Sequence, residues 1–274
     1  MSMTDDGLAR MDGINRNTWR QPDTVSWFRG LEGFTDEGER GAFRAIAEEM
    51  RGKRILDIGV GGGRTVPLLR AISDRYTAID YTPELVEACQ AKYPGVDVSF
   101  GDARDLSRFA DRSFDLVVFS FNGIDAVNVE DRAKILREVR RVLDDQGVFL
   151  FSAHNREGPG RGERFQLGVY RTRNPFKLAA RIRHAMAKLP TTLRNRFEYA
   201  KLAKDGDGYA IANAAAHEHG LLIHYVSLAR QLEELGVAGF RADPVIFGNL
   251  STEPIPRGAD THDLFWFHFL ARPQ

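Results

Sequence analysis

Apolar positions along the 274 residues fall into two alternating patterns. Short, nearly unbroken apolar runs sit at 55–58, 76–80, 96–100, 113–120 and 148–152. Runs this short, closed by a glycine or an acid, read as buried strands rather than helices. The run at 113–120 is almost continuous, as expected of a parallel strand covered on both faces. Between the runs the spacing is helical. Phe43, Ile46, Ala47 and Met50 share one face behind Thr35-Asp36-Glu37, which opens a helix with acids in its first turn. Val66, Leu68, Leu69 and Ile72 form a second face, and Leu85, Val86 and Cys89 a third behind Thr82-Pro83-Glu84. Ile135, Leu136, Val139, Val142 and Leu143 form a fourth, over 130–143, stopped by Gln146-Gly147. Further on, 222–226 reads as a short strand or edge. Ser227 caps a helix bearing Leu228, Leu232 and Leu235, and 244–250 and 264–270 read as two last strands joined by a long loop. Strands alternating with helices predict a doubly wound α/β sheet.

The centre of the pattern is the stretch Asp57-Ile58-Gly59-Val60-Gly61-Gly62-Gly63-Arg64 between the first strand and the helix that follows. Clustered glycines let the chain turn tightly and remove side chains that would hold a ligand away. The helix start beyond offers free N–H groups and a partial positive charge. A dinucleotide site wants a third glycine where Arg64 stands. The second strand ends in Asp80, placed to accept from two ribose hydroxyls, and the third runs into Gly101-Asp102-Ala103.

The pattern Asp57-x-Gly59-x-Gly61-x-Gly63 resembles the first motif of the class I S-adenosylmethionine-dependent methyltransferases. Asp80, Asp102 and Arg141-Val142-Leu143…Gly147-Val148-Phe149 follow in that family's order across 50–156. The resemblance implies a Rossmann-like, seven-stranded, mostly parallel sheet with an antiparallel last strand and a helical lid insertion. It implies S-adenosylmethionine as cofactor and S-adenosylhomocysteine as product. Gly59, Gly61 and Gly63 with Asp57 would face the methionine part, Asp80 and Tyr81 the ribose, and Asp102 and Ala103 the adenine. Ser120 and Phe121, at the end of the fourth strand, would complete the cofactor site. Asn122 and His154 lie on the catalytic edge and are the candidates for orienting the acceptor or removing its proton. Asn155, His224 and Tyr225 are candidate substrate contacts. The expected divisions are a cover at 1–34, a core at 35–156, a lid at 157–220 and the rest of the core at 221–274.

The other segments refine this picture. Residues 1–17 are polar and are expected to be mobile. Trp19, Trp27, Phe28 and Phe34 could close the cover or simply cap the sheet edge. In the lid, Leu178, Ile182, Ala185, Met186 and Leu189 form one helical stripe, and Lys177, Arg181, His184 and Lys188 another. The preferred reading is a lid helix with a solvated basic face; the alternative is an anionic membrane surface or an acidic partner. His217-Glu218-His219 has a metal-like spacing but no third ligand at a fixed distance, so no metal is expected. Lys+Arg and Asp+Glu each count 38, which gives no overall case for nucleic acid. Single Cys89 reads as a packing residue. Without a signal core or a bilayer-length apolar run, a cytoplasmic setting is expected. The expected reaction is methyl transfer to O or N of a small molecule. The rivals are transfer to a lipid or membrane-surface substrate, an NAD(P)-dependent oxidoreductase, and a non-catalytic cofactor-binding subunit. The oligomeric state is left open.

Overall fold

The computed structural model describes residues 5–162 and 174–274. Three helices come first: α1 (Asp5–Trp19), α2 (Pro22–Arg29) and α3 (Glu37–Ile46). The core then alternates β1 (Ile55–Ile58), α4 (Val66–Arg70), β2 (Tyr76–Asp80), α5 (Pro83–Lys92), β3 (Asp97–Phe100), β4 (Phe114–Phe119), α6 (Val129–Val142) and β5 (Leu143–Asn155). An insertion follows, with α7 (Pro175–Ala200), β6 (Lys204–Gly206), β7 (Tyr209–Ala214) and the one-turn α8 (Ala216–His219). The chain closes with β8 (Leu221–Val226), α9 (Leu228–Val237), β9 (Val245–Gly248) and β10 (Trp266–Ala271).

Strands run β3-β2-β1-β4-β5 in parallel, and β10 lies antiparallel between β5 and β9. This is the expected seven-stranded α/β sheet. Its alternation sorts two cores onto two faces. Leu56, Val117, Phe119, Phe149 and Phe151 pack with α6 residues such as Leu136 and Val139. Ile55, Leu116, Val118, Val148 and Leu150 pack on the other face with Phe43, Ile46 and Leu69. Burial on both sides is why these runs carry no polar alternation.

Two expectations change. The insertion is only partly helical: β7 pairs antiparallel with β8, which joins β5 at His154–Tyr225, beyond the last β4 pair at Phe119–Phe151. Among the described residues the sheet therefore has ten strands. The lid expected at 157–220 reads as helical, but pairing with β8 and burial of Ala210 and Ile211 make Tyr209–Ala214 a strand. The polar N-terminus is not loose either, because residues 5–19 are helical. Met11 is buried, and Asn15 bonds Ala126 O and both backbone groups of Leu222. Residues 163–173, part of the expected loop and lid, lie outside the described residues. No described helix is long and apolar enough to cross a membrane.

Candidate active site

Every strand of the parallel set ends at one edge, and the expected cofactor residues meet there. Gly59, Gly61 and Gly63 take φ of +68°, +56° and +89°. Only glycine adopts such values freely, so the turn needs all three. Asp80 lies beside it: Oδ2 accepts from Gly61 N at 2.9 Å and Oδ1 from Thr82 N at 2.8 Å. Burial lifts the Asp80 carboxyl to about 6 against the pull of those N–H groups. Asp57 is also lifted to about 6, by burial, with Thr65 Oγ1 and Tyr76 OH donating to its Oδ2. Asp57 thus ties β1 to β2 and to the start of α4. Cys89 beneath is buried, its thiol pushed up to about 12, which leaves an inert packing group.

Asp102 is engaged from two sides. Arg104 reaches both of its oxygens, and Arg16 from α1 donates to Oδ2 at 2.8 Å while its guanidinium stacks on Tyr81, 4.4 Å from the ring centre. Burial opposes ionisation of Asp102, but Arg104 and Arg16 outweigh it and hold its pKa below the ordinary value. Ala103 is buried beside it. The glycine turn is likewise covered. A Cβ on Gly62 would lie 2.7 Å from Arg29 N, and one on Gly61 3.4 Å from the Phe28 ring. Phe28 stands edge-on to Trp19 and Trp27 and stacks with His217. The aromatics therefore pack as a cover over the turn, and α1 and α2 lie against Gly61, Gly62 and Asp102.

Arg64, where a dinucleotide site has glycine, has a structural task that sequence reasoning missed. It is buried and paired with Glu39 at 2.7 Å, and it also donates to Phe34 O and Ser120 Oγ. One side chain thus locks α3, the cover and the end of β4 behind the turn. Removing one partner strands a buried charge, so Glu39→Ala should cost about 3–5 kcal/mol, read from urea unfolding. A loss under about 1 kcal/mol would contradict this role.

After Ser120 the chain makes two left-handed residues in succession, Phe121 (φ 58°) and Asn122 (φ 59°). Neither is glycine, so the bend is strained and must be held. Ser152 Oγ accepts from Asn122 N at 2.7 Å, and Arg64 lies 4.8 Å above the Phe121 ring. The bend puts Asn122 Nδ2 3.5 Å from His154 Nε2. Oδ1 of Asn122 is buried without a protein donor.

His154, at the end of β5, is held from behind by an acid that sequence reasoning passed over. Asp125 Oδ2 lies 2.9 Å from His154 Nδ1 and also accepts from His154 N at 2.6 Å. A carboxylate only accepts, so Nδ1 carries the proton and Nε2 is left as the basic nitrogen. Burial opposes ionisation of Asp125, but Arg132 and His154 outweigh it and hold its pKa below the ordinary value. Arg132 is itself fully buried, bonded to Asp125 and Gln231, and 3.0 Å from Glu234. The one sequence signal for Asp125 was an acid among Ile124, Ala126 and Val127 just past β4.

The candidate substrate residues separate. Tyr225 lies beside His154, ring centres 5.3 Å apart, with Trp266 on another side at 6.2 Å. His224 is fully buried and its ring is pushed down to about 3, first by burial and then by Arg132. Asn155 spends its amide on Thr261 O, Leu264 O and Glu157 N. Both are built into the structure in this conformation. His268 is packed, with Nε2 3.0 Å from Asp36. His217 sits in the aromatic cover and His219 bonds Asn213. Among the described residues no group of three or more His, Cys, Asp or Glu could hold a metal.

A glycine turn with a buried carboxylate, Asp80, and a half-buried one, Asp102, past two strand ends suits hydroxyl and amino donors and would repel a pyrophosphate. The donor set therefore fits an adenosyl ligand that carries an ammonium. The comparisons with known proteins agree. Residues 56–151 match the family model described as a methyltransferase domain. The chain is 32% identical over 131 residues to a probable S-adenosylmethionine-dependent methyltransferase of Mycolicibacterium smegmatis, covering 48% of this chain and 49% of that one. It is 32% identical over 113 residues to a fatty-acid O-methyltransferase of the same species, covering 39% of each. These matches span half or less of the relatives' length. An S-adenosylmethionine-dependent methyltransferase of known structure from Mesorhizobium loti has the same fold, with a TM-score of 0.56 at 19% identity over 86% of this chain and 97% of that one. By sheet order, by glycine turn and by domain match, residues 56–151 form a methyltransferase domain of the class I, S-adenosylmethionine-dependent kind, with S-adenosylmethionine as its cofactor.

Proposed function

We propose that this protein methylates a hydroxyl oxygen of a small molecule with an apolar body, with His154 as general base. The observation that carries this reading is the Asp125–His154 pair at the carboxyl edge of the sheet. A neutral amine needs no dedicated base, whereas a hydroxyl must lose its proton as it attacks. When bound, S-adenosylmethionine supplies a sulfonium methyl open to in-line attack. The chain's own part is positioning and proton removal. Asp80 would accept from the ribose hydroxyls, and Asp102, freed of Arg16, would accept from the adenine amino group. Asn122 Nδ2 steadies the acceptor oxygen, and His154 Nε2 takes its proton. Asp125 keeps the imidazole in the required tautomer and balances the positive charge it gains, while Arg132 keeps Asp125 ionised. Tyr225 and Trp266 beside His154 favour an acceptor with apolar surface, and the fatty-acid O-methyltransferase likeness is in keeping with that.

Incubation with methyl-labelled S-adenosylmethionine and panels of hydroxylated and amine compounds tests the reading. Label should appear in apolar alcohols, phenols or quinols. Label confined to amines would overturn it.

The raised carboxyl of Asp80 gives a pH prediction with a definite sign. Its ionised form is disfavoured in the folded protein, so this group destabilises the fold above about 6, and the cost is relieved as pH falls toward 3.8. Binding runs the other way, because a protonated Asp80 loses an acceptor for the ribose. Affinity for S-adenosylhomocysteine should be level above about 6 and fall roughly tenfold for each further pH unit down. Asp80→Asn should flatten that slope. Calorimetric affinities that stay unchanged down to pH 5 would contradict the assignment.

A further inference from the structure

The sequence predicts α7 as a lid helix with a solvated basic face, yet two residues of its apolar stripe, Ile182 and Met186, are also exposed, and Leu193 and Phe197 extend that face. Ile182 is 46% exposed, Met186 57%, Leu193 40% and Phe197 70%. At 3.6 residues per turn these four positions fall within an arc of about 60°. The opposite side holds α7 to the body. There Asn195 donates to Glu218 O at 3.1 Å, Lys188 reaches Asp23 at 2.7 Å, and Thr192 is buried. Arg183 and Arg194 are exposed along one edge of the apolar arc. The whole helix carries Lys177, Arg181, Arg183, Lys188, Arg194 and Arg196 against one acid, Glu198.

We propose that the outer face of α7 docks the protein on an anionic lipid bilayer. The occupant follows from the chemistry of the face. An apolar centre with a cationic edge matches acyl chains beneath acidic headgroups, with the helix lying in the interface plane. A second copy of the chain fits poorly, because a two-fold contact would set this basic helix against itself. Nucleic acid would need cations at the centre rather than Ile182 and Met186. Docked this way, α7 connects to the cover through α8. Its partner α8 carries His217, which stands against Trp27 and Phe28 of the cover. An acceptor dissolved in the bilayer would then have a short path to His154. The docking itself stands apart from the methyl-transfer reading.

The test is co-sedimentation of the full chain with phosphatidylcholine vesicles, with and without phosphatidylglycerol. The protein should pellet with the anionic vesicles and be released by salt. Arg183→Ala with Arg194→Ala should weaken that partition roughly thirtyfold, at about fivefold for each basic residue near the surface. Ile182→Ser, Met186→Ser and Phe197→Ser together should weaken it at least tenfold. These side chains are exposed, so an unchanged affinity for S-adenosylhomocysteine will show that the fold and the cofactor site are intact. Failure to pellet, or equal pelleting of parent and variants, overturns the proposal. So does a parent that sediments as a dimer which the serine variant dissociates, since the face would then belong to a second copy.

Discussion

His154→Ala is expected to lower kcat by roughly 10²–10⁴-fold and to leave affinity for S-adenosylhomocysteine unchanged. The size follows from what would be lost, a base aimed at the acceptor hydroxyl and oriented by a buried acid. His154 makes no contact with the glycine turn, with Asp80 or with Asp102, so cofactor affinity has no reason to move. Asp125→Asn separates base from orienter. An amide in place of the carboxylate can present its NH₂ to Nδ1, which favours the wrong tautomer and leaves Nε2 protonated. Its rate should therefore approach that of His154→Ala with the ring still present. Asp125 also balances buried Arg132, so thermal unfolding must accompany the assay. A His154→Ala protein within about threefold of the parent would remove the base from the mechanism. It would favour an amine acceptor or a subunit that binds cofactor without turning it over.

Asp80→Ala is expected to weaken S-adenosylhomocysteine binding about a hundredfold. A hydrogen bond to a charged group is worth about 1.5–3 kcal/mol, and the carboxylate has two hydroxyls to receive, so a net loss near 3 kcal/mol is conservative. Part of that loss would come from the turn, since Asp80 also holds Gly61 N and Thr82 N. Asp80→Asn apportions the two, because the amide keeps one acceptor and most of the shape. Binding by Asp80→Ala as tight as that of the parent would leave the adenosyl reading without its main anchor.

Much of this architecture was legible because the core strands are buried on two faces and written in unbroken apolar letters. The glycine turn, Asp80 and Asp102 could be placed because they follow strands whose ends are fixed by those letters. Asp125, Arg132, Glu39 and Arg64 could not be placed. Their pairings join residues far apart in the chain, Glu39 with Arg64 and Arg132 with Glu234, and spacing carries no trace of such contacts. The reading of the insertion failed for a different reason. In β7, alternation is blurred by alanines, and only the partner strand β8 decides between helix and strand. The helix of residues 5–19 was missed because its anchor is polar: Asn15 is buried by its bonds to Ala126 and Leu222, where apolar patterning has nothing to say.

The cover and α7 meet through α8, which packs on Trp27 and Phe28 and bonds Asn195. Arg16, which pairs with Asp102, and Trp19, which packs on His217, both belong to α1. His217 and Glu218 keep left-handed backbones there, and Glu218 O anchors Asn195 of α7.

The central claim is that the glycine turn and the two strand-end carboxylates hold an adenosyl sulfonium. Calorimetry of the intact protein with S-adenosylmethionine and, separately, with NAD tests it most directly. The account predicts stoichiometric binding of the first, weakened by Asp80→Ala and by Asp102→Ala, and no heat from the second. Saturable binding of NAD with none of S-adenosylmethionine would contradict it.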